Sequence, residues 1–330
     1  MPSSIPVSAS IKDNMEITST STAPSPETLR TVQSRTPLQN AMRRFFRHRS
    51  AQFGLIILGF MIFIALTSPV LAPYSPIKVL TDVKPRSDPC IHALGCPEDQ
   101  PQHIFGVDGN RRDLLSRVMY GARLSLLIGI ATVSFAILIG TILGAIAGYA
   151  GGWTDTAIMP FMDILLAFPG LLLSIAIVAV LGPGLMNALL AIAFVSIPVY
   201  ARIVRSSVLQ VKEQDFVSAS RALGASAFGI LGSHVLPNAI TPVIVQGTLG
   251  IGVVILDAAA LSFLGLGAAP PTPEWGLMLG EERNSLFNAP HLVFIPGIAI
   301  MLTVLAFNLL GDGLRDALDP RQVNMGKMKK

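Results

Sequence analysis

Residues 164–201, ILLAFPGLLLSIAIVAVLGPGLMNALLAIAFVSIPVYA, run for 38 positions without a charged side chain. A helix crossing a bilayer needs about 20 predominantly apolar residues, so this stretch is long enough for two. Gly182-Pro183-Gly184 supplies turn chemistry near its middle. Working outward, four more charge-free gaps appear: 28 residues between Arg49 and Lys78, 31 between Arg123 and Asp155, 35 between Arg221 and Asp257, and 28 between Arg283 and Asp312. The reading is six spans, at roughly 52–72, 122–149, 157–181, 185–207, 238–267 and 290–311. Unbroken apolar runs of this length are helices, because barrel strands would alternate every second residue.

Composition agrees. Of 330 residues, 51% are hydrophobic and 13% charged, about half the charge of a soluble domain, and the mean hydropathy is +0.60. One core cannot hide that much apolar surface, which excludes a soluble enzyme, a disordered chain and a nucleic-acid binder. The net charge of +4 is informative by position. Arg43, Arg44, Arg47 and Arg49 precede the first span and place the N-terminus in the cytoplasm. Six crossings return the C-terminus to the same side, with Arg315, Arg321, Lys327, Lys329 and Lys330; Arg202, Arg205, Lys212 and Arg221 flank the loop after span four. Arg111, Arg112 and Arg117, in the outer loop of about 50 residues, run against this rule.

The expected organisation follows. Residues 1–36, rich in Ser, Thr and Pro, form a disordered cytoplasmic tail. An interfacial helix (37–50) precedes the first transmembrane helix (51–73), which is retained as a signal anchor. An extracytoplasmic loop (74–121) leads into a five-helix core (122–311) with a cytoplasmic loop at 208–236, and residues 312–330 form a cytoplasmic tail.

The most informative polar segment is QDFVSASRALGASAFGILGSHVLPN, residues 214–238. Phe216, Val217, Ala219 and Leu223 have helical spacing, and Gly224 supplies a left-handed stop. A second short helix runs through Phe228 and Ile230 to Pro237, which marks the start of span five. A plain connection needs only a few residues, so helix, turn, helix reads as a docking surface for a cytosolic partner; interfacial anchoring is the competing reading. No phosphate-binding G-x-x-x-x-G-K-[ST], no H-E-x-x-H and no G-x-S-x-G occurs. The chain is not read as an enzyme, and any ATP is hydrolysed on another polypeptide.

This segment resembles the inner-membrane permease subunits of ATP-binding-cassette importers, whose loop reads E-A-A, three residues, Gly, nine residues, I-x-L-P. Ser218-Ala219-Ser220 takes the first three places, Gly224 the glycine, and His234, Leu236 and Pro237 the close. Ser218 stands for the acid and Ser220 for an alanine. The chain is similar to the C-type permease of dipeptide, oligopeptide and nickel systems from about Phe45 to Arg321, in HIFGVDGNRRDLLSRVMYGARLSL (103–126), GYAGGWTDTAIMPFMDILLAFPGLLL (148–173), LSFLGLGAAPPTPEWGLML (261–279) and GDGLRDALDPR (311–321). The resemblance implies an all-α polytopic membrane protein with six transmembrane helices, the type I ABC-importer (MetI-like) permease fold, in a bacterial or archaeal cytoplasmic membrane. It implies a second homologous permease subunit, two cytosolic ATPase subunits that bind the ATP and Mg, an extracytoplasmic solute-binding protein and surrounding lipid as partners, with no cofactor on this chain and no nucleic acid. It places the ATPase contact on Phe216, Ser218, Ala219, Arg221, Leu223, Gly224, His234 and Pro237. The implied solute is a dipeptide or oligopeptide, with glutathione and a nickel chelate open.

Other residues keep two readings. Gly140, Gly144 and Gly148 recur on one helix face and pack either within the chain or against a second permease. Asp163, some eight residues into span three near that helix's N-terminal dipole, is either a translocation-pathway acid or an interfacial structural one. Asp257, near the outer end of span five, either meets a peptide amino group or makes an inter-helix hydrogen bond. Cys90 and Cys96, with His92 and His103 nearby, match no common zinc spacing; a disulfide, free thiols and a metal site are the readings in that order. A stand-alone secondary transporter is the rival function, disfavoured because both acids fall toward membrane ends.

Overall fold

The computed structural model describes residues 42–318. The tail 1–36, residues 37–41 of the expected interfacial helix and residues 319–330 lie outside the described residues. Among the described residues all extended regular structure is helical, apart from two isolated antiparallel bridges, Cys90 with His103 and Val107 with Asp113. The first long helix, α1, is Arg49–Leu71. It is followed by α2, Leu114–Ala150, and by a bent pair, α3 Gly152–Ala167 and α4 Gly170–Leu181. Next come α5, Leu185–Lys212, and the short helix α6, Asp215–Ala222. A second short segment runs as α7 Ala227–Ile230, a π-turn Leu231–Val235 and α8 Leu236–Ala239. The remainder is α9 Thr241–Phe263, α10 Trp275–Glu282 and α11 His291–Leu318.

Five of these helices are long and apolar enough to cross a bilayer, and α3 with α4, bent by 95° at their break, pass the same test when taken together as one span. The expected single helix over 157–181 is therefore corrected. Pro169 has no amide hydrogen to give, and its ring drives Phe168 out of the helical region to φ −87°, ψ 141°. Several boundaries also move: α5 runs to Lys212, taking the first residues of the loop expected at 208–236, and α9 ends at Phe263 rather than 267. The helix expected from 122 begins at Leu114, where the Asp113 carboxylate caps the Ser116 amide at 2.8 Å. Span five begins at Thr241 rather than near Pro237, which lies inside α8. Residues 312–318, expected in the tail, complete α11.

The helices form two apolar clusters. One joins α2, α5, the middle of α9 and the buried side of the α6–α8 segment through Ala136, Ala201, Val204, Val208, Val217 and Ile230. The other joins α1, the first half of α2, α9, α10 and α11 around Trp275, Leu292 and Phe307. The seam between α2 and α5 settles the glycine ladder as packing within the chain. A β-carbon on Gly140 would stand 2.7 Å from Cβ of Tyr200, one on Gly144 would fall on the Ala201 carbonyl, and one on Gly148 would lie 3.0 Å from the Arg205 carbonyl. Backbones this close gain dispersion contacts along their length, which in lipid replaces the missing hydrophobic drive between helices.

Two ends result. The α6–α8 segment, the start of α1 and the end of α11 share one, as the His48–Asp316 pair between α1 and α11 records. This is the basic end. The opposite end carries residues 72–113 and 264–290 and is called here the disulfide end.

Candidate functional site

At the basic end, α6 stops by a Schellman closure. The Ala225 amide donates to the Ser220 carbonyl at 3.1 Å and the Gly224 amide to the Arg221 carbonyl at 3.0 Å, with Gly224 at φ +84°. The Ser226 hydroxyl then accepts the Gly229 amide at 3.2 Å and starts α7. Of the apolar set expected on one face of α6, only Val217 is buried. Phe216 is 40% exposed, Leu223 89% and Phe228 89%. Val217, Ile230, Val235 and Ala239 hold the segment to the body while Leu223 and Phe228 stand outward on either side of the glycine. Ser218, Ala219, Arg221 and Pro237 are exposed, and His234 is half-buried with its carbonyl accepting the Asn238 side-chain amide at 2.7 Å. Every residue placed at the docking surface from the sequence thus belongs to this segment. The space beside Gly224 is open, with no atom within 4 Å of a built β-carbon, so its restraint is purely the positive φ.

A turn inward, α3 and α5 are joined by charge. Asp155 accepts from Nε and Nη2 of the Arg205 guanidinium in a bidentate pair, and Asp163 pairs with Arg202. Asp163 is the twelfth of the sixteen residues of α3, so the N-terminal dipole invoked for it does not act there; Asp155 occupies that first turn. Asp163 and Arg202 are each 58% exposed. Arg202 lies level with Gly144, whose β-carbon position abuts Ala201, six residues and hence about 9 Å inside the end of α2. An exposed ion pair is costly against lipid and favours a flank that meets water or protein. Asp257 is half-buried in α9, six residues before its end.

The disulfide end is arranged oppositely. Cys90 and Cys96 are joined, and the backbones of Cys90 and His103 exchange hydrogen bonds at 2.8 and 3.0 Å. The two histidines do not converge: His103 Nδ1 pairs with Asp113 at 2.9 Å, and a ring nitrogen of His92 bonds the Gln100 carbonyl at 2.8 Å. Among the described residues no group of three or more His, Cys, Asp or Glu side chains gathers as metal ligands would. Of the three arginines that ran against the charge rule, Arg111 is exposed, while Arg112 and Arg117 are buried with partners. Arg112 bonds Asp108 at 2.7 Å and Glu281 at 2.8 Å. Arg117, fully buried, donates to the Pro76 and Pro271 carbonyls at 3.2 and 3.1 Å and to Glu281 at 3.3 Å. Arg86 and the Gly109 amide both bond Glu282. Glu274 caps α10 through the Gly276 and Leu277 amides at 2.9 and 2.8 Å; burial pushes its carboxyl upward, and those two amides oppose the shift. Sequence reading missed this clasp, along with Arg202 as the partner of Asp163.

Comparison with known proteins meets this geometry. Residues 140–324 match the family described as binding-protein-dependent transport system inner membrane component, and residues 36–88 match the N-terminal transmembrane domain of oligopeptide transport permease C. The chain is 46% identical over 299 residues to a dipeptide transport system permease protein of Alkalihalophilus pseudofirmus, covering 91% of this chain and 94% of that one. It is 46% identical to a di/tripeptide transport system permease protein of Pseudomonas aeruginosa (87% and 93% covered) and 47% identical to a glutathione transport system permease protein of Escherichia coli (88% and 92% covered). The fold is that of a subunit of the inward-facing MetNI methionine ABC transporter, with a TM-score of 0.51 at 18% identity over 62% of this chain and 96% of that one. A six-crossing helical body, a Schellman-closed segment presenting apolar side chains outward, and near-full-length kinship lead to one assignment: the chain belongs to the family of binding-protein-dependent transport system inner membrane components, the permease subunits of ABC importers.

Proposed function

We propose that this chain is one of two permease subunits of an importer that carries short peptides across a bacterial cytoplasmic membrane. The basic end faces the cytoplasm, held there by Arg43, Arg44, Arg47 and Arg49 beside α1, and the disulfide end faces the oxidising exterior. Two ATPase subunits, which bind the ATP and Mg, dock on the α6–α8 segment, and a solute-binding protein delivers at the other end. The relatives named for dipeptides, di/tripeptides and glutathione, itself a small peptide, support one solute class. Asp163 with Arg202, and Asp257, belong to the pathway flank in this reading.

The observation that carries it is the pair Leu223 and Phe228, large apolar side chains turned outward around the left-handed Gly224 on a segment otherwise anchored to the core. Each contributes roughly 1.5–3 kcal/mol when buried in a partner. Leu223→Asp with Phe228→Asp should lower ATPase co-purification by tenfold or more, since each 1.4 kcal/mol is a factor of ten, while the second permease is retained. ATPases recovered at the wild-type ratio would remove this docking surface.

A further inference from the structure

Two cavities lie end to end between α5 and α9. The one at the basic end, of about 800 Å³, is bordered by Ser207, Gln210, Gln214, Asn238, Thr241 and Gln246 among others. The second, of about 320 Å³, reaches the α3–α4 break at Phe168 and Gly170 and is bordered by Ser196, Tyr200, Gly250 and again Gln246. Gln246 therefore stands at the neck between them. On α9, Gln246, Gly250, Val253 and Asp257 fall at i, i+4, i+7 and i+11, a single stripe. On α5 the lining from Val195 to Val211 rises 16 residues, about 24 Å, most of the thickness of a hydrocarbon core. Unsatisfied amides and hydroxyls in lipid cost several kcal/mol each; Ser196 and Asn238 are satisfied by the Ile192 and His234 carbonyls, which leaves the Gln246 amide at the neck as the group that calls for water or a ligand.

We propose that this groove is the chain's half of the translocation path, and that Gln246 hydrogen-bonds the backbone amide of the passing peptide. The inference rests on the peptide reading above. A carboxamide offers two donors and a carbonyl acceptor, so it matches a peptide N–H and C=O together whatever the neighbouring side chains are. The Gln246 carboxamide makes no hydrogen bond to protein among the described residues. The rest of the smaller cavity is mostly aliphatic, with Leu165, Leu166, Val195, Val199 and Val254, which suits side chains of varied apolar shape. Gly250 lets the groove keep its course past Tyr200, because a β-carbon there would fall on the Tyr200 hydroxyl.

The test uses the complete transporter, with its second permease, ATPases and binding protein, in proteoliposomes. Uptake of alanyl-alanine is compared with alanyl-N-methylalanine, which lacks the peptide N–H, for the wild type and Gln246→Leu. Discrimination by the binding protein is common to both transporters and cancels. The wild type should favour alanyl-alanine at least fivefold more strongly than Gln246→Leu does. An identical ratio in both overturns the role of Gln246 and leaves the peptide reading standing. Absence of uptake of either peptide by the wild type overturns both. Should Gln246→Leu fail to assemble, Gln246→Cys on a background with Cys90 and Cys96 replaced must react with a water-soluble thiosulfonate from the cytoplasmic side, at least tenfold faster than a cysteine at lipid-facing Leu138; equal rates overturn the groove.

Discussion

The two ends of this permease treat their polar and apolar groups in opposite ways. At the disulfide end, Asp108, Arg112, Arg117, Glu281 and Glu282 meet one another inside the protein, and little of their charge is left for anything else. At the basic end, Leu223 and Phe228 leave nearly all their surface outside. Interaction spent inside fixes shape, and interaction held outward selects a partner. The first end is a scaffold that keeps the loops 72–113 and 264–290 as one body, while the second is unfinished until something covers it.

The contrast can be broken at its strongest point. Arg117→Leu removes a buried cation and leaves Glu281 and Asp108 short of charge, a change that costs about 3–5 kcal/mol. The purified subunit should show a sharp drop in midpoint by fluorescence-detected thermal melting and a low membrane yield. A melting midpoint matching wild type would mean that the clasp does not hold the scaffold. Replacing Cys90 and Cys96 with serine opens only the small loop between them, at about 2 kcal/mol of lost closure entropy. Hydrogen exchange should quicken at 91–102 and nowhere else, with uptake unchanged; exchange spreading into α10 would sharpen the picture by tying that loop to the clasp. Gly224→Val has open space around it and so costs only the left-handed backbone, roughly 1–2 kcal/mol. Global melting should move least of the three, yet ATPase co-purification should fall about tenfold. Uptake at the wild-type rate by this variant would deny the segment its coupling role.

Much of the fold was legible because lipid imposes a rule that can be read locally. Charge-free gaps found α1, α2, α5, α9 and α11, and Gly182-Pro183-Gly184 divided the longest gap at the right place. Phe168-Pro169-Gly170 carried a breaker signal of the same kind in the same run and was passed over, since a proline inside an apolar stretch reads equally as a tolerated kink; four helices here, α1, α3, α5 and α11, carry one beyond their first turn. The break between α6 and α7 was readable from Gly224 because a left-handed stop is a property of a few consecutive residues. Which apolar residues of α6 faced inward was not, because Val217 and Phe216 differ only in what lies across from them. The clasp was illegible for a stronger reason. Arg117 and Glu281 are 164 residues apart, and in the sequence each is simply a charge in a loop. Gln246 left a faint signal, an amide on the same α9 stripe as Asp257, whose meaning required α5 beside it.

That separation has a consequence for the order in which the molecule comes into being. Arg117 leaves the ribosome long before Glu281, and at about 5–20 residues per second the 164 residues between them take roughly 8–33 s to make. Throughout that interval Arg112 and the start of α2 hold cations for which Glu281 does not yet exist. The clasp therefore closes only after α9 and α10 have been made, which makes it a seal on completed synthesis: a subunit lacking residues beyond 280 leaves Arg112 and Arg117 sharing Asp108, whereas a full-length one adds Glu281.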